Sequence, residues 1–279
     1  MQQQTMTKVT GLRADSDFFR FEERDELDYQ LVLDVLHGRR LGVIFRSVIP
    51  QAARKELTDR FWRSPALRHR EGEPSHYVGA YHWNKSTATY LDETAEVIED
   101  VKAVIDVPGS PWATFREGMA QALAQEGASL RLAEMNGRSA CPALIRAWDQ
   151  PGQFSLDPHE DSAQCQDPRQ VGFEIQNVIQ HSICAVNMCV EHTAGGRLVV
   201  WNIRPDDEAR RALGIELTGI PYPPESLAEF DEIRLDIREG DIYAFNGAFV
   251  HAVDANTGNR STVSYIMGFT GADTVVSWT

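Results

Sequence analysis

The stretch Ile183-Cys-Ala-Val-Asn-Met-Cys-Val-Glu191 runs through Thr193-Ala-Gly-Gly196 into Arg197-Leu-Val-Val-Trp-Asn202, an apolar run, a glycine turn and a second apolar run. Short runs of this composition read as strands, and Gly-Gly between two of them predicts a hairpin connection. The same rhythm continues on both sides. Upstream lie Leu130 to Glu134 and Ala143 to Trp148. Downstream, Ile233 to Ile237 alternates strictly, and Arg238-Glu-Gly-Asp241 turns into Ile242 to Phe245. His251 to Val253 and Arg260 to Phe269 form a last expected pair, joined by Asp254-Ala-Asn-Thr-Gly-Asn259. Many short antiparallel strands without intervening helices predict a jelly roll or barrel, not a parallel sheet. Pro205 to Glu229 interrupts the series and reads as an insertion with one short helix.

Ahead of this β-rich half the pattern is mainly helical. Leu27, Leu31, Val35 and Leu36 recur at helical spacing, with Gly38 as a stop. Gly42 to Arg46 is a short apolar run, read as a buried strand. Pro50 opens a helix through Trp62 that carries Ala53, Leu57 and Phe61 on one face. Two more helices are expected, one with Ala95, Ile98, Val101 and Ile105, the other from Pro111 to about Gln125. Between them, Ser64 to Tyr90 is polar, contains glycine and lacks a period. It reads as a long loop, of the kind that often serves as a lid or binding loop. The expectation is therefore a single domain over residues 1–279: a mainly helical flank over 1–128, then a core over 129–279 interrupted at about 203–231.

Composition narrows the partners. Forty-one acidic residues against 27 basic ones give a formal charge of −14. That field repels phosphate backbones and anionic lipid, so nucleic acid and membrane are not expected partners. The start, Met1-Gln-Gln-Gln-Thr5, lacks the basic and apolar regions of a targeting signal. No apolar stretch approaches the ~18 residues of a membrane span. Cys141, Cys165, Cys184 and Cys189 are too few for a disulfide scaffold in a chain of 279 residues. A cytoplasmic protein with free thiols acting on a small molecule is expected.

The chemistry centres on Pro158-His159-Glu160-Asp161. On an extended segment residues i and i+2 point to the same side, so His159 and Asp161 can hold one face of a single ion. With a second histidine they make the facial triad of non-haem iron(II) oxygenases, which leaves coordination positions open for O2 and a chelating co-substrate. His251 is the candidate second histidine. Nine residues on comes Arg260, and Arg260 and Thr262 share a face by period 2. A guanidinium there offers bidentate contact to a carboxylate, as the far end of a metal-chelated dicarboxylate requires.

These residues resemble the Fe(II)/2-oxoglutarate-dependent dioxygenases, whose pattern is His-x-Asp, a distal His, and an Arg about ten residues later followed by Ser or Thr. Leu144-Ile-Arg-Ala-Trp-Asp-Gln-Pro-Gly152 ahead of Pro158-His-Glu-Asp161 is similar to the "R-Y-x-x-G … P-H-x-D" run of that superfamily, with Trp148 where Tyr is common. Gly195-Gly-Arg-Leu198 matches its Gly-Gly-x-Leu segment, and Gly240-Asp241 its approach to the distal histidine. The matches cover about residues 143 to 269. The helical first half is similar in layout to hydroxylases of free or N-acylated amino acids. The resemblance implies a double-stranded β-helix (jelly-roll, cupin-like) core with the N-terminal helices packed on one sheet, mainly β with flanking helices. It implies Fe(II) at His159, Asp161 and His251, with 2-oxoglutarate and O2 as co-substrates and Arg260 on the 2-oxoglutarate C5 carboxylate. It also implies hydroxylation of an unactivated C–H bond. Aliphatic halogenases of the superfamily carry Gly or Ala where this chain has Asp161. A desaturase or cyclase of the same fold, or a metal-binding jelly roll without catalysis, are the alternatives.

Other candidates rank lower. His181, Cys184, Cys189 and His192 resemble a zinc set in composition, but an offset of five on one strand puts Cys184 and Cys189 on opposite faces. Trp148, Phe154, Phe173 and Phe249 stand near the motif as possible substrate-pocket residues, although aromatics mostly fill cores. Tyr81, His82, Trp83 and Asn84 are candidate substrate contacts in the early loop.

Overall fold

The computed structural model describes residues 8–70, 75–148 and 154–279. The opening Met1 to Thr5 and the Asp149 to Gly152 part of the quoted motif lie outside them. In chain order come β1 (Gly11–Leu12), β2 (Phe21–Arg24), α1 (Tyr29–Leu36), β3 (Gly42–Phe45), α2 (Gln51–Arg63), β4 (Arg68–His69), β5 (Ser75–Val78), α3 (Thr87–Ile105) and α4 (Pro111–Gln125). Next are β6 (Ser129–Leu132), β7 (Glu134–Met135), β8 (Arg138–Ser139), β9 (Leu144–Trp148) and β10 (Phe154–His159). Short 3-10 turns between Ala163 and Gln180 lead to β11 (Ile183–Gly195), β12 (Leu198–Trp201), β13 (Arg204–Pro205) and α5 (Asp207–Leu213). The order closes with β14 (Glu232–Leu235), β15 (Ile242–Asn246), β16 (His251–Asp254), β17 (Asn256–Phe269) and β18 (Thr274–Trp278).

Two sheets form the double-stranded β-helix. The major sheet runs β2-β3-β15-β11-β17-β9-β5-β4, with β18 and β6 joined beyond β17, and the minor sheet runs β10-β16-β12-β14. Three apolar layers follow from strand alternation. On the outer face of the major sheet, Val186 and Met188 pack with Leu33, Leu57, Val101 and Phe115 from the helices. Between the sheets, Ala185, Tyr243 and Phe245 meet Leu198 and Val200. Outside the minor sheet, Val199, Trp201 and Ala252 pack under the insertion through Ala209, Tyr222 and Leu227. The helices start where side chains satisfy free N–H groups: Asp28 caps α1, Ser86 caps α3, and Ser110 caps α4 ahead of Pro111. Among the described residues no helix is long and apolar enough to cross a membrane.

Four expectations are corrected. Thr193 to Gly196 does not close a hairpin, because β11 pairs with β15 and β17 while β12 pairs with β14 and β16. The glycines carry the chain around the corner between sheets, with φ of 78° at Gly195 and 58° at Gly196. Likewise β16 and β17 belong to different sheets and are not neighbours. Ser64 to Tyr90 is not one long loop, since β5 pairs with β9 in the major sheet and α3 already begins at Thr87. Its polar residues concealed a strand because β5 has half-buried His76 and Tyr77 between buried Ser75 and Val78, which breaks the alternation. Finally, α3 buries Val101 and Ile105 as expected, but with Tyr90, Leu91, Val97 and Val104, while Ile98 is half-buried and Ala95 exposed, so its inner face is only partly the expected one.

Candidate metal centre

β10 brings His159 to its last position, where it pairs with His251 at the first position of β16. The two rings lie 4.1 Å apart between centroids. Asp161 follows beyond the strand, held by a backbone hydrogen bond from its N–H to the Gly247 carbonyl at 2.8 Å. Between them Glu160 turns away. Its carboxylate accepts from the Ser162 N–H at 2.7 Å and from Arg210 Nε at 3.0 Å, which ties α5 to the motif. His159 and Asp161 are therefore left facing the same side.

One ligand atom from each of His159, Asp161 and His251 lies within 4.8 Å of the others. Nδ1 of His159 pairs with the Asp157 carbonyl at 2.7 Å, and Nδ1 of His251 with the Phe249 carbonyl at 2.9 Å. Each Nδ1 therefore carries the proton, and each Nε2 has a free lone pair. His251 Nε2 stands 3.7 Å from Asp161 Oδ2. Gln164 donates to the other carboxylate oxygen at 3.0 Å. Burial pulls the His251 pKa down to about 4 and that of His159 well below its ordinary value, so both are neutral bases. Burial pushes Asp161 up to about 7, against the opposing pull of Arg146 and the Gln164 hydrogen bond. A divalent cation would reverse that penalty. Two neutral imidazoles and one carboxylate, with no protein group completing a tetrahedron among the described residues, fit an open iron(II) site.

A cavity opens on the triad between the sheets. Arg260, Thr262, Trp83 and Trp148 line it, as do Tyr81 and His82. Arg260 is buried and donates to the Tyr243 hydroxyl at 2.9 Å, while its Nε has no partner. A β-carbon on Gly196 would lie 2.5 Å from Arg260 Cδ, so the glycine corner also makes room for this side chain. Trp83 donates Nε1 to the Thr218 carbonyl at 3.0 Å, joining the early segment to the insertion across the mouth.

Phe154, Phe173 and Phe249 do not line the cavity. The β10–β16 register shifts between Phe154 and Leu156, so Leu156 faces inward and Phe154 packs outside on Trp201. Phe173 is buried against Tyr90 beneath the helices, and Phe249 stacks on Phe18. Asn84 adopts φ 55° and accepts from Arg169 instead. Of the zinc-like set, Cys184 lies in the outer layer and Cys189 in the inner one, as their spacing requires. Sequence reasoning assigned no role to Arg146, Tyr243 or Gln164. For Arg146 the signal was present: it stands two residues before Trp148 on one strand and so shares its face.

A family model for the carrier-protein-independent halogenase WelO5 matches residues 21–274. The L-isoleucine 3(1)-dioxygenase of Pantoea ananatis (strain AJ13355) is 29% identical over 291 residues, covering 99% of this chain and 97% of that one. Among solved structures, an N-substituted L-amino acid dioxygenase from Burkholderia ambifaria AMMD superposes with a TM-score of 0.58 at 13% identity, over 90% of this chain and 91% of the other. Its complex with alpha-KG gives a TM-score of 0.53 at 13% identity, with the same coverage. At that identity the structural likeness speaks for the fold.

Proposed function

We propose, from the premise that this chain belongs to the carrier-protein-independent halogenase WelO5 family, that it hydroxylates an amino acid or N-acylated amino acid at an iron ion held by His159, Asp161 and His251. The enzyme is an Fe(II)/2-oxoglutarate-dependent dioxygenase. The convergence of two free Nε2 lone pairs and one carboxylate within 4.8 Å carries the site assignment. Bound iron with 2-oxoglutarate supplies O2 activation and removal of hydrogen from an unactivated C–H bond, with decarboxylation to succinate and carbon dioxide.

The chain's own residues do the rest. Arg260, braced by Tyr243 and accommodated by Gly196, receives the distal carboxylate of 2-oxoglutarate, with the Thr262 hydroxyl alongside. Gln164 fixes the orientation of Asp161. Trp83 and Trp148 contact the substrate, and the Trp83–Thr218 bridge limits water entry. The amino-acid class follows the Pantoea relative, aligned over 99% of this chain. All four cysteines are buried free thiols, which suits a reducing compartment, and we place the enzyme in the cytoplasm. Succinate release measured against a panel of amino acids and N-acylated amino acids tests the reading. Iron- and 2-oxoglutarate-dependent turnover of one of them supports it, and no stimulation by any member of the panel refutes the substrate class.

A further inference from the structure

Three guanidiniums line the cavity, Arg260 buried and Arg70 and Arg146 half-buried, and a single co-substrate engages only one. Arg146 on β9 stands directly across from Thr262 on one side and Tyr77 on the other. Among the described residues its one side-chain hydrogen bond is a long one, from Nη2 to Ser264 Oγ at 3.4 Å, and its guanidinium lies 5.4 Å from the Trp148 ring centroid. Its Nε is buried without a partner. Among the described residues no carboxylate lies within ion-pair distance of it. Arg210, buried elsewhere, and half-buried Arg46 each meet a carboxylate, Glu160 at 3.0 Å and Asp241 at 2.7 Å, while half-buried Arg116 donates to the Ser277 hydroxyl at 2.7 Å. Burial draws the Arg146 pKa down to about 10, with Arg70 adding to the effect, so the group is still a cation at neutral pH. A partly desolvated charge without a counter-ion is costly, and a fold that keeps one in a cavity wall points to a ligand of opposite sign.

Arg146 and Arg260 differ in what they face. Arg260 is only 1% exposed and is held by the Tyr243 hydroxyl at 2.9 Å. Arg146 is half-buried and shares with Trp148 the wall of the cavity that His159, Asp161 and His251 also line, so it reaches the more open part. Arg260 is thus the remote anchor, suited to the far end of a metal-chelated dicarboxylate, while Arg146 flanks the open face where the organic substrate must lie. We propose that Arg146 binds the carboxylate of the organic substrate and so selects carboxylic acids, whose aliphatic carbons it would hold over the triad. This inference rests on the iron and 2-oxoglutarate reading of the cavity. It adds a second anion subsite, which the family pattern of His-x-Asp, His and Arg does not include.

The experiment uses ferrous enzyme loaded anaerobically with 2-oxoglutarate, whose chelation gives a visible charge-transfer band. Perturbation of that band is titrated with L-isoleucine, N-acetyl-L-leucine and the carboxamide of each. The wild type should bind an acid at least tenfold more tightly than its amide. Arg146→Gln should abolish that preference, shifting 2-oxoglutarate affinity less than threefold, and Arg146→Lys should restore part of it. Equal affinity of wild type and Arg146→Gln for the acids would overturn the anchor. So would equal binding of acid and amide by the wild type, or a tenfold loss of 2-oxoglutarate affinity in the variant. Failure of the underlying reading is distinct. Without any charge-transfer band the iron assignment falls, and quenching of Trp83 and Trp148 fluorescence by the same acids and amides then decides the anchor alone. Acids that bind at Arg146 and yield no product remove only the proposed substrate class.

Discussion

A β-carbon placed on Gly247 would lie 2.3 Å from Oδ2 of Asp161. The same glycine's carbonyl accepts the Asp161 N–H at 2.8 Å, so backbone and carboxylate are fixed by one residue at once. The restriction is one of space, because the φ of Gly247 is not in the left-handed region. Gly247→Ala should therefore displace the carboxylate while the neighbouring strands stay paired. Iron affinity, measured by competition with a chelator, should fall tenfold or more. Gly271→Ala is the control, since nothing lies within 4 Å of its added carbon. Equal iron affinity in the two variants would show that Asp161 is not positioned this way.

His159→Ala and His251→Ala each remove one of three proposed protein ligands. Turnover should vanish and iron affinity should fall steeply. Circular dichroism should keep the wild-type spectrum, because the His251 ring meets the layer between the sheets edge-on at Phe245 while many other apolar contacts hold the sheets together. Full activity in either variant would sink the triad.

Arg260→Gln removes the charge proposed to face the distal carboxylate of 2-oxoglutarate. Loss of a charge-assisted pair from a desolvated pocket costs about 2–5 kcal/mol. The apparent KM for 2-oxoglutarate should rise by roughly a hundredfold on that basis. A change confined to the organic substrate's constant would exchange the roles given to Arg260 and Arg146.

Asp161 also bears on the reaction outcome. By resemblance, halogenases of the superfamily have Gly or Ala here, which leaves room for a halide on the metal. An aspartate fills that place and repels a second anion, so hydroxylation should be unaffected by excess chloride. Mass spectrometry of the product formed with chloride present checks this. A chlorinated product from the wild type would refute Asp161 as an iron ligand. Asp161→Gly should lose most hydroxylation.

His82 should make the fold acid-sensitive. It is buried, with Nε2 accepting from Trp278 Nε1 at 3.2 Å and Nδ1 paired to Gln170 Oε1 at 3.1 Å. Burial lowers its pKa from 6.5 to about 4. The unfolded chain thus takes up the proton first. The stability due to neutral His82 is complete above pH 6.5, declines as pH falls, and levels off near pH 4. A shift of that size corresponds to about 3 kcal/mol at most. Denaturant unfolding at pH 7 and pH 4.5 should show a smaller pH difference for His82→Gln than for wild type. The same pH dependence in both would place the acid sensitivity elsewhere.

The sequence by itself determined what depends on spacing along one segment. His159 and Asp161 share a side because extended backbone repeats every two residues, and Arg260 and Thr262 share a wall for the same reason. The helix expected from Pro111 begins there, because proline suits the first turn of a helix. The tertiary structure alone decided which strands are neighbours. A glycine corner between sheets and a hairpin turn use the same residues, and the difference lies in partners far along the chain: β15 and β17 for β11, β14 and β16 for β12. The register shift that sends Phe154 outward and Leu156 inward is likewise set by pairing with β16. Arg146 was visible as a residue, but its unpaired charge was not, because the absence of a counter-ion depends on which distant side chains fold against it. Local chemistry sets each segment's faces, and only packing determines what each face meets.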